Sequence, residues 1–132
     1  MTTVLTFGSF DHIHQGHIYY LTEAKKLGDK LFVVVARDST IEKVKGKKPK
    51  YPEQERLKHL QDLQIADKIV LGYADDVYRV LDDVMPDIIC LGYDQRAFVD
   101  QLEEELKKRN FKPKIIRLKP YMENIYKSSK LK

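Results

Sequence analysis

The sequence predicts an α/β fold in which short buried strands alternate with amphipathic helices. Apolar runs rich in Val, Ile and Leu recur along the chain, and segments with apolar residues at helical spacing lie between them. No internal repeat or low-complexity tract interrupts this alternation. Continuous apolar runs are typical of strands covered on both faces, so we expect one parallel sheet with helices on both sides.

Five strands and four helices are expected in chain order. The strands are predicted at residues 4–7, 31–36, 68–71, 88–91 and 114–118. The helices are predicted at residues 16–27, 52–63, 77–85 and 99–109. This alternation predicts a Rossmann-like sheet whose ligand lies at the carboxyl ends of the strands, near residues 8–11, 36–38, 72–75 and 92–95. A chain of 132 residues without a Pro/Gly/Ser-rich divider is expected to form a single domain, 1–132.

The composition is typical of a cytoplasmic protein. The 24 basic and 20 acidic side chains nearly balance, which gives a formal net charge of +4. No run approaches the roughly 20 apolar residues of a membrane-spanning helix, and the N-terminus leads into a predicted strand rather than a signal sequence. Cys90 is the only cysteine and lies within a predicted strand, so we expect a buried reduced thiol that contributes packing. No membrane partner is expected.

Two histidines occupy the junction between the first predicted strand and the first predicted helix. The run from Gly8 to His17 has the sequence GSFDHIHQGH, and apolar residues follow at helical spacing until Gly28. At this junction the amides and dipole of the helix favour an anion, and His14 and His17 add two donors. Gly16 keeps the backbone bare, so a phosphate group can approach it closely. The run therefore predicts a phosphate site.

Other interpretations of the histidine pair stay open on the residues alone. Two histidines three positions apart also occur as a metal pair or as unrelated surface residues. A structural zinc site is disfavoured because Cys90, His12 and His59 do not complete a ligand pattern. The turn also lacks the G-x-G-x-x-G sequence of dinucleotide-binding proteins, which argues against an NAD site.

The histidine run and several later segments resemble the HxGH nucleotidylyltransferases, in their cytidylyltransferase-like branch. In order and spacing the later segments are similar to the archaeal FAD synthases: VVARD at 34–38, KGKKP at 45–49, PEQER at 52–56, ADK at 66–68 and PDIICLGYDQ at 86–95. Glycerol-3-phosphate cytidylyltransferases are the nearest relatives with a different substrate. The resemblance covers nearly the whole chain and implies a homodimeric enzyme that transfers a nucleotidyl group to a phosphorylated acceptor.

A basic cluster lies between the second predicted strand and the second predicted helix. It holds five lysines within eight positions: Lys43, Lys45, Lys47, Lys48 and Lys50. We expect a flexible loop that closes on a triphosphate and neutralises its charge, and the resemblance points to Lys43 and Lys45 as the phosphate ligands. A solvated surface loop is the alternative. Nucleic-acid binding is the main non-enzymatic alternative, but no aromatic residues interleave the lysines and no binding module is apparent, so no nucleic-acid partner is expected.

Two aspartates are candidate site carboxylates. Asp94 follows a predicted strand and is placed to accept from a ribose hydroxyl or a base amine. Asp11 could orient the histidines or contact a magnesium ion through water. Both could instead cap loops, since aspartates after strands often accept from local backbone amides.

The C-terminal segment adds a hydroxyl motif. Tyr121 precedes Ser128 and Ser129, and this pair resembles the family's closing Ser/Thr motif, in which a helix N-terminus and its hydroxyls hold phosphate oxygens. The segment departs from the family pattern because the nearest upstream arginine is Arg117 and the chain stops at Lys132. A plain polar tail is the alternative.

The resemblance implies one reaction class at one site. An acceptor phosphate oxygen attacks the α-phosphorus of a nucleoside triphosphate and pyrophosphate leaves, assisted by Mg²⁺ or another divalent cation that binds mainly with the triphosphate. The leading hypothesis is ATP with FMN giving FAD, and the alternative is CTP with glycerol 3-phosphate or another small phosphorylated alcohol. Expected catalytic residues are His14, His17, Lys43 and Lys45. Expected nucleotide-binding residues are Gly8, Ser9, Phe10, Asp11, His14, Gln15, Gly16, His17, Asp94, Tyr121, Ser128 and Ser129.

Overall fold

Five parallel strands form the centre of the molecule. A computed structural model gives the fold and describes residues 1–92 and 101–118. The strands are β1 (Thr3–Gly8), β2 (Lys30–Val35), β3 (Lys68–Leu71), β4 (Ile88–Leu91) and β5 (Lys114–Arg117). The helices are α1 (Gln15–Lys26), α2 (Asp38–Lys45), α3 (Glu53–Leu63), α4 (Val80–Val84) and α5 (Leu102–Lys108). The order across the sheet is β3-β2-β1-β4-β5 with every neighbouring pair parallel, which confirms the Rossmann-like α/β prediction.

The core consists of two apolar layers, one on each face of the sheet. Because successive strand residues point to opposite faces, Val33 and Val35 of β2 pack on one face while Val34 packs on the other. One layer includes Leu21 of α1, and the other includes Leu102 of α5. Helices therefore cover both faces, as expected. Within the described ranges, no helix is long and apolar enough to cross a lipid bilayer.

Most element boundaries agree with the prediction to within one residue, but α4 differs at its start. It begins at Val80 rather than Val77, because the preceding residues form a turn in which the Asp76 carboxylate accepts from the Tyr78 amide at 3.0 Å. Of the helix predicted at 99–109, residues 99 and 100 lie outside the described residues.

Helix α2 was not predicted, and the expectation that Lys43 and Lys45 lie in a flexible loop is wrong. Both lysines occupy the last turn of α2, which ends at Gly46 in the left-handed conformation, with φ of 77°. The helix buries only Ile41, and its other apolar residue, Val44, is 58% exposed, so the hydrophobic periodicity is weak. The capping signals were nevertheless present, since glycine after basic residues is typical of a helix C-terminus.

Candidate active site

The candidate site lies at the carboxyl edge of the sheet, around the turn that follows β1. The Ala36 amide donates to the Gly8 carbonyl at 2.9 Å, and the Gly72 amide donates to the Val35 carbonyl at 2.9 Å, so the ends of β1, β2 and β3 meet at one edge. Strand β1 lies between β2 and β4, where the strand order reverses. Such a reversal point is where open α/β sheets bind ligands.

His14 and His17 together cap the first turn of α1. His14 is the N-cap residue, and its Nδ1 accepts from the Gly16 amide at 3.0 Å. The His14 amide in turn donates to Nδ1 of His17 at 3.3 Å, and the two ring centroids are 4.1 Å apart. This reciprocal arrangement is a capping box built from two imidazoles. It confirms that the pair projects together from the start of the helix.

The capping bonds determine what the two rings can offer a ligand. Because each Nδ1 accepts from a backbone amide, the proton of a neutral ring is placed on Nε2. The Nε2 atoms are then donors, which suits phosphate oxygens rather than a metal ion. The geometry therefore favours the phosphate interpretation over the metal pair.

Phe10 packs beside the histidine pair on its buried side. Its side chain is buried, and its ring centroid lies 5.6 Å from that of His17 and 6.5 Å from that of Tyr20. A Cβ on Gly8 would lie 2.7 Å from the Phe10 ring, so glycine is needed for this packing. Phe10 has φ of 50°, a conformation that a non-glycine residue rarely adopts. Sequence reasoning placed Phe10 at the nucleotide; the structure gives it a supporting place in the core.

Gly16 is required for a reason that the sequence did not reveal. A Cβ at this position would lie 2.7 Å from Cε1 and 3.0 Å from Nδ1 of His14, so the ring occupies the space that a side chain would need. Because Gly16 has no side chain, the imidazole of His14 can lie over the first turn of α1. Close approach of a triphosphate to this backbone stays a prediction.

The Gly16→Ala variant is expected to fold normally, but the nucleotidyl transfer that the sequence resemblance implies should be about tenfold slower. The added methyl displaces the His14 ring, and small misplacements of a reacting geometry slow catalysis steeply. The higher helix propensity of alanine offsets the weakened cap, so the free energy of unfolding should change by less than about 1 kcal/mol. Urea denaturation and steady-state kinetics check the two parts. A fully active variant would show that the ring position does not matter.

Asp11 does not contact the histidines through the hydrogen bonds of its carboxylate; it binds the end of the basic segment, residues 43–51, which contains the five clustered lysines. Its Oδ2 accepts from the Lys50 amide at 2.7 Å and its Oδ1 from the Tyr51 amide at 2.8 Å. Both carboxylate oxygens are thus engaged in the loop-capping role that the sequence left open. The clamp ties the turn after β1 to the segment between α2 and α3.

The electrostatic surroundings of Asp11 favour its ionised form. Burial raises the pKa of Asp11, but the two amides and the positive charges of Arg56 and Lys45 act in the opposite direction and leave the pKa below its ordinary value of 3.8. A carboxyl with a depressed pKa stabilises the fold above its unfolded pKa and loses that contribution as pH falls through the folded value.

The Asp11→Asn variant is expected to be less stable than the wild type at neutral pH, by about 1 kcal/mol, because one amide then faces an NH₂ group. The difference should shrink as the pH falls below 3.8, where wild-type Asp11 becomes protonated. Urea denaturation across this pH range measures it. Asp62→Asn is the matched control, since Asp62 is an exposed carboxylate of α3 that pairs with Lys58 at 3.6 Å. A difference that stays constant with pH would contradict the clamp.

Arg56 is the principal site residue that sequence reasoning missed. It lies in α3, its side chain is 0% exposed, and its guanidinium connects three separate segments. Its nitrogens donate to the carbonyls of Tyr51 at 3.0 Å, Ser9 at 2.8 Å and Ala36 at 2.6 Å, and to the Asp38 carboxylate at 2.7 Å. The arginine therefore fixes the turn after β1 against the ends of β2 and of the basic segment.

Two further arginines lie at the carboxyl edge on either side of the histidines. Arg37 follows β2 and donates from Nε to the Gly72 carbonyl at 2.8 Å. Arg117 ends β5 and donates from Nη1 to the Gly92 carbonyl at 2.7 Å. No sequence pattern assigned a role to either residue. Both arginines are far from the histidines along the chain, so only the folded sheet shows that all of these residues lie at one edge.

The remaining candidates fall into three groups. Gln15 is exposed at the start of α1, and the lysines of the basic cluster are all exposed, with Lys43 and Lys45 on α2 and the others after it. Burial raises the pKa of the Cys90 thiol to about 12, which agrees with a packing role. Four predicted site residues lie outside the described residues: Asp94, Tyr121, Ser128 and Ser129.

Comparisons with known proteins agree on the family. A family model described as cytidylyltransferase-like matches residues 5–132. The FAD synthase of Aciduliprofundum boonei is 50% identical over 121 residues, which cover 92% of this chain and 80% of that protein. The FAD synthase of Methanohalophilus mahii is 44% identical over 132 residues, which cover 99% of this chain and 92% of that protein.

A solved structure agrees with both the fold and the sequence match. The crystal structure of the lipopolysaccharide core biosynthesis protein from Thermoplasma volcanium GSS1 has a TM-score of 0.84 and 44% sequence identity, and the match covers 92% of this chain and 98% of that chain. That protein is named for a different process from the two FAD synthases, although the fold is shared. The histidine turn, the parallel sheet and these matches lead to one conclusion: the chain belongs to the cytidylyltransferase-like family.

Proposed function

We propose that this protein is an FMN adenylyltransferase, which transfers the AMP group of ATP to FMN and so forms FAD and pyrophosphate. The proposal is supported by relatives named FAD synthase at 44–50% identity, which match at least nine-tenths of this chain. The observation that carries the chemistry is the histidine capping pair, which offers two Nε2 donors at the N-terminus of α1.

The reaction is a displacement at the α-phosphorus of ATP. A phosphate oxygen of FMN forms a new bond to that phosphorus, and the bond to the bridging oxygen of the β-phosphate breaks as pyrophosphate leaves with the electron pair. The FMN phosphate is already ionised, so a strong general base is not needed. His14 and His17 would donate to the α- and β-phosphate oxygens, where negative charge increases in the transition state.

A divalent cation, with Mg²⁺ the expected choice, would neutralise the triphosphate and the leaving pyrophosphate. Among the described residues, no group of three or more His, Cys, Asp or Glu side chains could hold a metal ion. The cation is proposed to bind mainly with the triphosphate, through phosphate oxygens. Asp11 would contact it through water, while each of its carboxylate oxygens continues to accept from an amide.

The basic cluster would add positive charge beside the phosphates. Lys43 and Lys45 are the proposed phosphate ligands, in line with the family resemblance, and both are exposed in the last turn of α2. Closure would now involve the last turn of α2 and the left-handed Gly46 after it, rather than a continuous loop. Asp94, Tyr121, Ser128 and Ser129 complete the proposed nucleotide site, in line with the family resemblance.

A matrix of substrates tests the function. Pyrophosphate release is measured with ATP or CTP, each offered FMN, glycerol 3-phosphate or phosphocholine, in the presence of Mg²⁺. We expect release with ATP and FMN, together with FAD identified by chromatography. Release with CTP and glycerol 3-phosphate would favour the alternative cytidylyl transfer. Absence of turnover with every pair, across several divalent cations, would indicate a binding protein instead.

The proposal extends to the surroundings of the enzyme. We place the reaction in the cytoplasm, with a homodimer as the working form and without nucleic-acid or membrane partners. Sedimentation equilibrium tests the dimer. Salt-dependent binding to a generic DNA duplex, with no nucleotide turnover, would revive the nucleic-acid alternative.

A further inference from the structure

A guanidinium at the edge of the candidate site has bonding capacity that the proposed reaction does not yet use. Arg37 donates from Nε to the Gly72 carbonyl at 2.8 Å, and its Nη1 lies 3.4 Å from Oε2 of Glu53. In the part of the chain that the structure describes, its Nη2 has no hydrogen-bond partner. The side chain is 40% exposed. Arg37 is therefore held in place at one end and retains donors for a ligand.

The backbone places the residue before Arg37 next to the start of the turn that follows β1. The Ala36 amide donates to the Gly8 carbonyl at 2.9 Å, and Nη1 of Arg56 donates to the carbonyls of both Ser9 and Ala36. The first residues after β2 thus lie alongside the first residues after β1. Arg37, the next residue in the chain, lies on the β2 and β3 side of the site.

The ion pair of Arg37 with Glu53 does not account for this arrangement on its own. The pair is long, at 3.4 Å, and the arginine side chain is partly exposed, so the ion pair contributes little to the stability of the fold. Glu53 also has another partner, because its Oε1 accepts from the Asp38 amide at 2.8 Å. The structural contact of Arg37 with the Gly72 carbonyl uses only Nε, so it leaves the far end of the guanidinium available to a ligand.

The reaction brings together two groups of negative charge. The triphosphate requires donors at the N-terminus of α1, and the acceptor phosphate must approach the α-phosphorus from the side opposite the leaving group. Repulsion between these anions is reduced if the acceptor phosphate has its own cation. A planar guanidinium is suited to this task because it can donate two parallel hydrogen bonds to one phosphate.

We propose that Arg37 binds the phosphate of the acceptor, which places the acceptor subsite at the carboxyl ends of β2 and β3. The ligand is a phosphate monoester, and under the proposed function, on which this inference rests, it is FMN. Arg37 would hold the attacking phosphate while the histidines hold the phosphates of ATP. The two substrates would then meet above the turn that follows β1.

The test compares Arg37→Met with the wild type in steady-state kinetics and in fluorescence titration with FMN. The KM and Kd for FMN are expected to rise by about 10- to 100-fold, the range for loss of a charged hydrogen bond, while the KM for ATP changes by less than about twofold. Arg37→Lys should recover part of the FMN affinity. Lys26→Met is the charge-matched control, because Lys26 is an exposed residue in the last turn of α1, at the opposite edge of the sheet.

Each outcome decides the inference. Riboflavin lacks the phosphate, so it should inhibit both proteins equally; weaker inhibition of Arg37→Met would place the arginine at the flavin ring instead. An unchanged KM for FMN, or equal rises for FMN and ATP, would overturn the phosphate assignment. If the wild type uses another phosphorylated acceptor, FMN transfer is wrong but the Arg37 comparison is decided with that acceptor. If the wild type uses none, both proposals fail.

Discussion

Replacement of His17 by alanine is expected to lower the kcat for pyrophosphate release by about 100-fold or more, the usual scale for removing one donor to a charge that develops in the transition state. The Nε2 donor of this ring would follow the charge on the phosphate oxygens as the bond to pyrophosphate breaks. The KM for ATP should change less than kcat, because the interaction is strongest in the transition state.

The structure adds a complication to this experiment, because His17 also completes the capping box of α1. Its Nδ1 accepts from the His14 amide, so alanine removes both a donor to the ligand and a helix cap. His17→Gln separates the two effects. Glutamine at this helix position can accept from the N-cap amide through its side-chain oxygen, while the imidazole is absent.

The two variants therefore have different expected profiles. His17→Ala should lose up to about 1 kcal/mol of unfolding free energy, and His17→Gln should be close to the wild type in urea denaturation. Both should be nearly inactive. His12→Ala is the control, since His12 is an exposed histidine of the same turn. Recovery of turnover in His17→Gln would mean that the residue acts only as a cap, and the proposed chemistry would be wrong.

The parts of this fold that the sequence predicted are those set by local pattern. Apolar runs gave the strands, and helical spacing gave the start of α1, which places residues 14 and 17 on one side of the first turn. The lysine cluster illustrates where local pattern fails. Helix α2 buries only Ile41, so its amphipathic signal was too weak to compete with the charge run, although Gly46 marked its end.

The contacts within the site depend instead on tertiary structure. Asp11 accepts from amides about forty residues further along the chain, and no local pattern specifies that partner. Gly16 is another case, because only the position of the His14 ring shows what its missing side chain makes possible. Arg56 is the strongest case, since arginine is rarely buried and a sequence scan assigns it to the surface by default.

Replacement of Arg56 by methionine is expected to lower the free energy of unfolding by about 3 to 5 kcal/mol. Methionine fills part of the space but leaves three carbonyls without their donor, those of Ser9, Ala36 and Tyr51, and each unsatisfied buried acceptor costs about 1 kcal/mol or more. Arg56→Lys keeps the charge but cannot donate to all of these acceptors at once, so it should also be destabilised, by roughly 2 kcal/mol.

Asp38 provides an internal check on this prediction. Asp38→Asn weakens one contact of Arg56, and because the two side chains interact directly at 2.7 Å, the loss in the double variant should be smaller than the sum of the single losses. Arg79→Met is the matched control, since Arg79 pairs with Asp75 at 2.7 Å in an exposed ion pair worth at most about 1 kcal/mol.

The Arg56→Lys variant also tests whether the support of the site affects catalysis. Arg56 contacts no ligand in the proposed mechanism, yet it holds Ser9 and Tyr51 against the ends of β2 and the basic segment. Under conditions where Arg56→Lys is still folded, we expect kcat to fall while unfolding remains cooperative, because the histidine turn loses its fixed support. Normal kcat in a folded but destabilised variant would show that the turn keeps its geometry without the arginine, and would limit Arg56 to stability alone.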